Sequence, residues 1–209
     1  MPELSQIGLF WIATILLNLT PGPDIMYIVA NGMSRGARAG AMSAAGVGTG
    51  ALFHVGLAAV GVTALLHASD IAFDVVRFLG AAYLIWIGFQ QLKSSLPGFT
   101  PENTVADNSW AYFNRGLVTN VLNPKVALFF MAFLPQFISP EAGDVVFQIF
   151  ILGLLFTVNS MLINILIGIG AGKAGHRLMK NQKFASWINR ISGMVLIALG
   201  IRLFFIEKN

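Results

Sequence analysis

The chain has 209 residues, of which 56% are apolar and only 11% charged, with a formal net charge of +4. Soluble domains carry about 25% charged residues, so this sequence cannot cover a water-facing surface of its size and a soluble fold is excluded. With no cysteine there is no disulfide, no thiolate metal site and no CxxC redox pair.

The distribution of charge says more than its amount. Mean hydropathy is +0.74, and Asp, Glu, Lys and Arg are absent from Leu4 to Pro23, from Ala39 to Ser69 and from Val145 to Gly172. A helix crosses a hydrocarbon core of ~30 Å in about 20 residues, so each run is long enough to span. Met1 to Gln6 holds Glu3 and no Lys or Arg. It lacks the basic start of a secretory signal, and the first apolar run is expected to stay as a membrane helix.

Six spans are predicted in chain order: 5–30, 39–67, 71–92, 115–138, 145–170 and 185–206. The third begins beside Asp74 and Arg77, three apart on one helix face and read as a local ion pair. The sixth carries Arg190 and Arg202 near its ends, where long side chains snorkel to the interface. Lys93 to Trp110, with SSLPGFTPENTVADNS inside it, is too polar to bury itself and reads as a linker.

Alternate loops hold Arg35 and Arg38, then Lys93 and Arg115, then Lys173, Arg177, Lys180, Lys183 and Arg190, nine basic residues on one side. The other side has Arg77, Arg202 and Lys208, and Lys125 falls within a span. The positive-inside rule then predicts periplasmic termini and a cytoplasmic linker. This basic bias serves topology, and no nucleic-acid partner is expected.

Arg77-Phe-Leu-Gly80 with Gly88 resembles Arg190-Ile-Ser-Gly193 with Gly200, and Leu19-Thr-Pro-Gly-Pro23 resembles Leu122-Asn-Pro-Lys125. The chain reads as a three-helix repeat over 1–92, a linker over 93–114 and a second three-helix repeat over 115–209. An odd number of spans per copy inverts the second copy, an architecture shared by many secondary transporters. Chance likeness between apolar helices is the other reading.

The first and fourth spans are both broken by proline. Pro21, Gly22 and Pro23 lie deep in the first, and each proline removes a backbone donor. Freed carbonyl groups in hydrocarbon need partners within the protein, so such breaks face other helices or a wet cavity. Thr20 before Pro21 and Asn123 before Pro124 each read as a helix cap followed by a first-turn proline. Two half-helix N-termini would then point inward, suited to a carboxylate. Simple proline kinks are the alternative.

Asp24 and Lys125 stand beside these breaks, where a charge costs about 2.5 to 3.5 kcal/mol to insert and demands a partner. They can neutralise each other as a structural pair. They can also form a zwitterion-sized site, with Lys125 toward an α-carboxylate and Asp24 toward an ammonium or a proton. His54 shares a face with Gly46, Gly50 and Ala58, a stripe that lets helices approach closely, as does Gly36, Gly40, Ala44 and Gly48. It is a packing residue or a second proton carrier. Asn159 and Asn164 bridge helices or meet substrate. GIGAGKAG over 168–175 has neither the preceding strand nor the following Ser or Thr of a phosphate loop. No metal site and no cofactor is expected, and no nucleophile with an activating base marks an enzyme.

Leu19-Thr-Pro-Gly-Pro-Asp24, Asn123-Pro-Lys-Val-Ala-Leu-Phe-Phe130 with Phe133-Leu-Pro135, and Asn189-Arg-Ile-Ser-Gly193 with Leu199-Gly200 resemble the lysine exporter and homoserine/threonine efflux superfamily. The resemblance covers essentially the whole chain, linker included. It implies export of amino acids or derivatives from the bacterial cytoplasm across the inner membrane, driven by a proton or ion gradient. Pro21, Gly22, Pro23, Asp24, Asn123, Pro124 and Lys125 match its motif positions. The expected protein is therefore an all-α integral membrane protein of six helices in two inverted repeats, with helices 1 and 4 broken. Its expected partners are an amino acid, protons and the lipid bilayer, and a homo-oligomer is allowed. The rival readings are an exporter of a divalent cation or another small solute, and a non-transporting scaffold.

Overall fold

The structure, a computed structural model, describes residues 4–68, 70–93, 108–179 and 182–205. Linker residues 94–107 lie outside the described set, as do Glu3, Lys180 and Lys208, and the side chains of Arg177, Lys183 and Asn189 are likewise not described. Eight α-helices account for most of the described chain: α1 Leu4–Leu19, α2 Pro23–Arg35, α3 Ala37–Ala68, α4 Asp70–Lys93, α5 Ser109–Val121, α6 Pro124–Leu128, α7 Val145–Met179 and α8 Gln182–Phe205. Among the described residues there is no strand.

The two predicted breaks are present. The apolar pair Ile7–Leu19 and Pro23–Arg35 bends by 53°, and Ser109–Val121 with Pro124–Phe137 bends by 47°. Ala37–Ala64, Asp74–Lys93 and Val145–Lys173 are long and apolar enough to cross without a break. With the two bent pairs, five crossings meet the length and composition of a span. In α8 the apolar stretch is shorter, Gly193–Phe205, and the helix packs lengthwise on α4. The chain is a multi-pass, all-helical membrane protein.

Helix α5 begins at Ser109, inside the stretch read as linker. Asn108 is extended and its side chain accepts from the Trp110 backbone N–H at 3.0 Å, a cap that starts the helix six residues early. Between α2 and α3 the chain turns at Gly36, whose φ of 91° favours glycine.

The outer face is apolar, and polar residues share the interior with a hydrophobic core. Along α7, Phe147, Phe150, Leu154, Val158, Leu162 and Leu166 are exposed at helical spacing, while Thr157, Asn159, Ser160 and Asn164 are buried. An apolar outer face suits lipid, and polar groups inside find protein partners. Asn159 Nδ2 donates to Thr14 Oγ1 at 3.0 Å, tying α7 to α1, while Asn164 Nδ2 donates within its own helix to Ser160 Oγ. Asp74 and Arg77 form the expected ion pair at 3.1 Å.

Small residues set the helix contacts. A Cβ at Gly40 would strike the Gly168 carbonyl and one at Gly168 the Gly40 carbonyl, so α3 and α7 meet backbone to backbone. A Cβ at Gly46 would strike the Phe113 carbonyl, and one at Gly116 the Ser43 carbonyl, which brings α5 equally close to α3. Gly88 and Gly193 meet reciprocally between α4 and α8. Gly168 and Gly172, which approach Gly40 and Ala37, are thus helix-packing residues in continuous α7.

Candidate functional site

The two breaks meet each other. After α1 ends at Leu19, helix α2 starts at Pro23 with extended Gly22 as its cap residue and no side-chain cap. Thr20 is not the cap expected of it. Its hydroxyl donates back to the Leu16 carbonyl at 2.7 Å, because with Pro21 and Pro23 following, the nearer partner for a threonine ending a helix is the preceding turn. Asn123 behaves as expected: it is extended, its Oδ1 accepts from the Lys125 backbone N–H at 3.0 Å, and Pro124 opens α6.

Lys125, 6% exposed, reaches from the second break into the first. Its Nζ donates to the Thr20 carbonyl at 2.9 Å and to the Leu17 carbonyl at 3.3 Å. The Leu17 carbonyl lies in the last turn of α1, where it also accepts the Thr20 N–H at 3.1 Å, and the Thr20 carbonyl lies just beyond the helix end, where the dipole is negative. Gly22 leaves room for this ammonium. Its φ of −170° suits any residue, but a Cβ there would lie 3.2 Å from Lys125 Nζ.

Asp24 sits in the first turn of α2, where a carboxylate complements the N-terminal partial charge. It does not ion-pair with Lys125 within 4.0 Å. Its Oδ2 instead accepts from Asn120 Nδ2 at 2.9 Å. The site is therefore two charges held apart, each with its own dipolar partner.

Asn120 is the residue that sequence reasoning missed. Its side chain binds Asp24, and its carbonyl accepts from the Asn123 backbone N–H at 2.9 Å and faces His54 Nε2 at 2.9 Å. A carbonyl oxygen only accepts, so Nε2 carries the hydrogen and Nδ1 of a neutral ring is an acceptor. The His54 ring stacks on Phe130 with centroids 6.1 Å apart and planes at 22°. The one available signal for Asn120 was its place three residues before Asn123, one turn ahead of a break.

Five buried polar atoms around the breaks have no hydrogen-bond partner: Asn18 Nδ2, Asp24 Oδ1, His54 Nδ1, Asn120 Oδ1 and Asn123 Nδ2. Two of them are donors and three are acceptors.

Below this polar group the fourth span leaves α-helical geometry. Phe129–Phe133 form a single π-helical turn, followed by a 3₁₀ turn at Leu134–Phe137. Such turns interrupt helices frequently at functional sites. Phe129, Phe130, Phe133 and Phe137 pack with Phe10 and Phe156 at centroid distances of 4.9 to 6.1 Å, making an apolar layer against the site.

Comparison with known proteins agrees with this anatomy. Residues 15–206 match the family described as LysE type translocator. The chain is 31% identical over 199 residues to the homoserine/homoserine lactone efflux protein of Salmonella typhi, covering 93% of each chain. It is 29% identical over 195 residues to the leucine efflux protein of Klebsiella pneumoniae, covering 93% of this chain and 92% of that one. The leucine efflux protein of Salmonella choleraesuis is similar at 29% over 196 residues. No solved structure gives a significant match. A helical membrane protein matched over almost its full length by this family model belongs to the LysE type translocator family, whose members are transporters and not enzymes.

Proposed function

We propose that this chain is a secondary active transporter that exports amino acids or close derivatives across the bacterial inner membrane by proton antiport. Its site lies between the two broken helices. Relatives named for leucine and homoserine efflux support the substrate class, with threonine-like and basic amino acids as further candidates.

The observation that carries the reading is the unpartnered polar set at the breaks. Asp24 Oδ1, Asn120 Oδ1 and His54 Nδ1 accept, which matches an α-ammonium with its three N–H groups. Asn18 Nδ2 and Asn123 Nδ2 donate, joined by the third N–H of Lys125, and these match an α-carboxylate. Thr20 contributes through its backbone carbonyl, which holds Lys125. Among the described residues no three His, Asp or Glu side chains converge, so a divalent cation would find only scattered ligands.

The proposal includes the inverted repeat, with units 1–92 and 115–209 around the 93–114 linker. In support, α3 of the first unit packs on α5, and α7 of the second packs on α1 and α2. Gly88 meets Gly193 while Gly200 meets Ala81 and Ile85, an antiparallel register between α4 and α8. The six-span topology puts both termini in the periplasm, supported by the nine basic residues of the alternate loops. Single cysteines in this Cys-free chain test it: an impermeant thiol reagent on whole cells is expected to label position 141 and to spare position 103. Labelling at 103 alone would reverse the orientation.

Export itself is tested in inverted membrane vesicles with radiolabelled leucine and homoserine, with and without an acid-inside gradient. Gradient-stimulated uptake that Asp24→Asn abolishes is expected. Uptake no faster than in vesicles lacking the protein would leave the scaffold reading, and uptake of divalent cations instead would favour the other.

A further inference from the structure

Lys125 invites a second question, because two of its three N–H groups are already given to the backbone of the other broken span. It lies against the open C-terminal end of α1, held by the Leu17 and Thr20 carbonyls and covered by Gly22. Carbonyl oxygens at the C-terminal end of a broken half-helix are the groups with which many transporters coordinate a coupling sodium ion. Here a cation tethered to the other broken span fills that position. We propose that Lys125 occupies a cation site built by α1 and is the proton-carrying group of transport, so that coupling is to protons and not to sodium. This rests on the export reading and names the group through which the gradient acts.

The cycle balances as follows. On the periplasm-facing side the lone pair of the neutral Lys125 amine takes a proton, forming an N–H bond and an ammonium. That charge is attracted to the α1 carbonyls and to Asp24, which draws the two breaks together. On the cytoplasm-facing side the N–H bond breaks, the electron pair stays on nitrogen and the proton passes to water. The neutral amine holds the α1 end less strongly, and the half-helices can part. One proton enters as one amino acid leaves.

Few other groups compete for the role. Among the described residues Asp24 is the charged group acting on Lys125. Helix α1 carries no ionisable side chain and α7 none from Val145 to Gly172. His54 on α3 has its Nε2 committed to the Asn120 carbonyl.

The test uses inverted vesicles loaded by leucine uptake, measuring both accumulation and exchange of internal for external leucine. In the unaltered protein an acid-inside gradient of about one pH unit is expected to sustain up to ~tenfold accumulation at one proton per leucine. A sodium gradient is expected to add nothing. Lys125→Arg keeps a cation that does not release its proton, so exchange persists at a reduced rate while accumulation falls to a ratio of one. Lys125→Gln, neutral at any pH, is expected to lose accumulation likewise. Proton-driven accumulation by either variant would overturn the proposal. So would sodium-driven uptake by the unaltered protein, or loss of accumulation with retained exchange in His54→Gln, which would place the proton on the imidazole. If the unaltered protein takes up no leucine or homoserine at all, the export reading fails first.

Discussion

The two proline breaks look alike in sequence and are held together in opposite ways. The second, at Leu122 to Pro124, closes on itself: Asn123 caps α6 with its own side chain, and its backbone N–H returns to the Asn120 carbonyl. The first, at Leu19 to Pro23, has no side-chain cap, and the buried carbonyl groups at its helix end accept from Lys125 of the other span. One break is autonomous and the other borrows its partner. A borrowed cap is a contact that can be made and released without unfolding either helix, which is what a moving site requires.

The borrowed contact is the place to break this comparison most severely. Lys125→Met removes the side-chain donor from both the Thr20 and the Leu17 carbonyls. Each such charged bond is worth about 1.5 to 3 kcal/mol, and the loss of both is read as a lowered unfolding midpoint in detergent together with loss of export. A Lys125→Met protein as stable as the parent would mean that water caps α1 equally well.

Next is Asn120→Leu, which removes the bond to the Asp24 carboxylate, worth about 1.5 to 3 kcal/mol. The His54 bond goes to the backbone carbonyl and survives this change. Substrate affinity is therefore expected to fall more than the maximal rate, and equal losses in both would argue against Asn120 acting through Asp24.

Asn123→Ala probes the autonomous break, with an expected loss of about 1 kcal/mol from the missing cap. Asn123→Ser restores a cap acceptor without adding a buried charge and should recover stability. If the alanine variant destabilises as much as Lys125→Met, the second break depends on the first after all.

The smallest effect on stability is expected from Gly22→Ala. The backbone there is extended and unstrained, so the change costs less than about 1 kcal/mol. Its methyl group, however, displaces the Lys125 ammonium by a few tenths of an ångström. Export should fall several-fold in transport assays while the unfolding midpoint hardly moves.

Much of the architecture was legible without coordinates. Charge-free runs long enough to cross lipid and prolines deep within two of the predicted spans are one-dimensional facts, as is the spacing of Gly46, Gly50 and His54 along one helical face. Each dictates a local outcome because lipid leaves backbone polar groups no solvent partner. The short-range cap at Asn123 followed for the same reason, since it needs only the next two residues.

What one dimension left open was every choice among distant partners. The Thr20 hydroxyl had two possible partners, an N–H of the next helix to accept from or a carbonyl of its own previous turn to donate to, and the geometry of the bend selected the Leu16 carbonyl. Asp24 and Lys125 read as a pair because opposite charges in lipid attract. Helix ends and an amide 96 residues from Asp24 instead supply partners with better geometry at shorter distance. Asn120 carried no motif at all, and its importance comes from the Gly46, Gly50 and Gly116 contacts that press α5 onto α3. Composition determined that this chain lives in a membrane and where its helices must break. Only tertiary packing decided which buried groups face one another, because that depends on how closely glycines let separate helices approach.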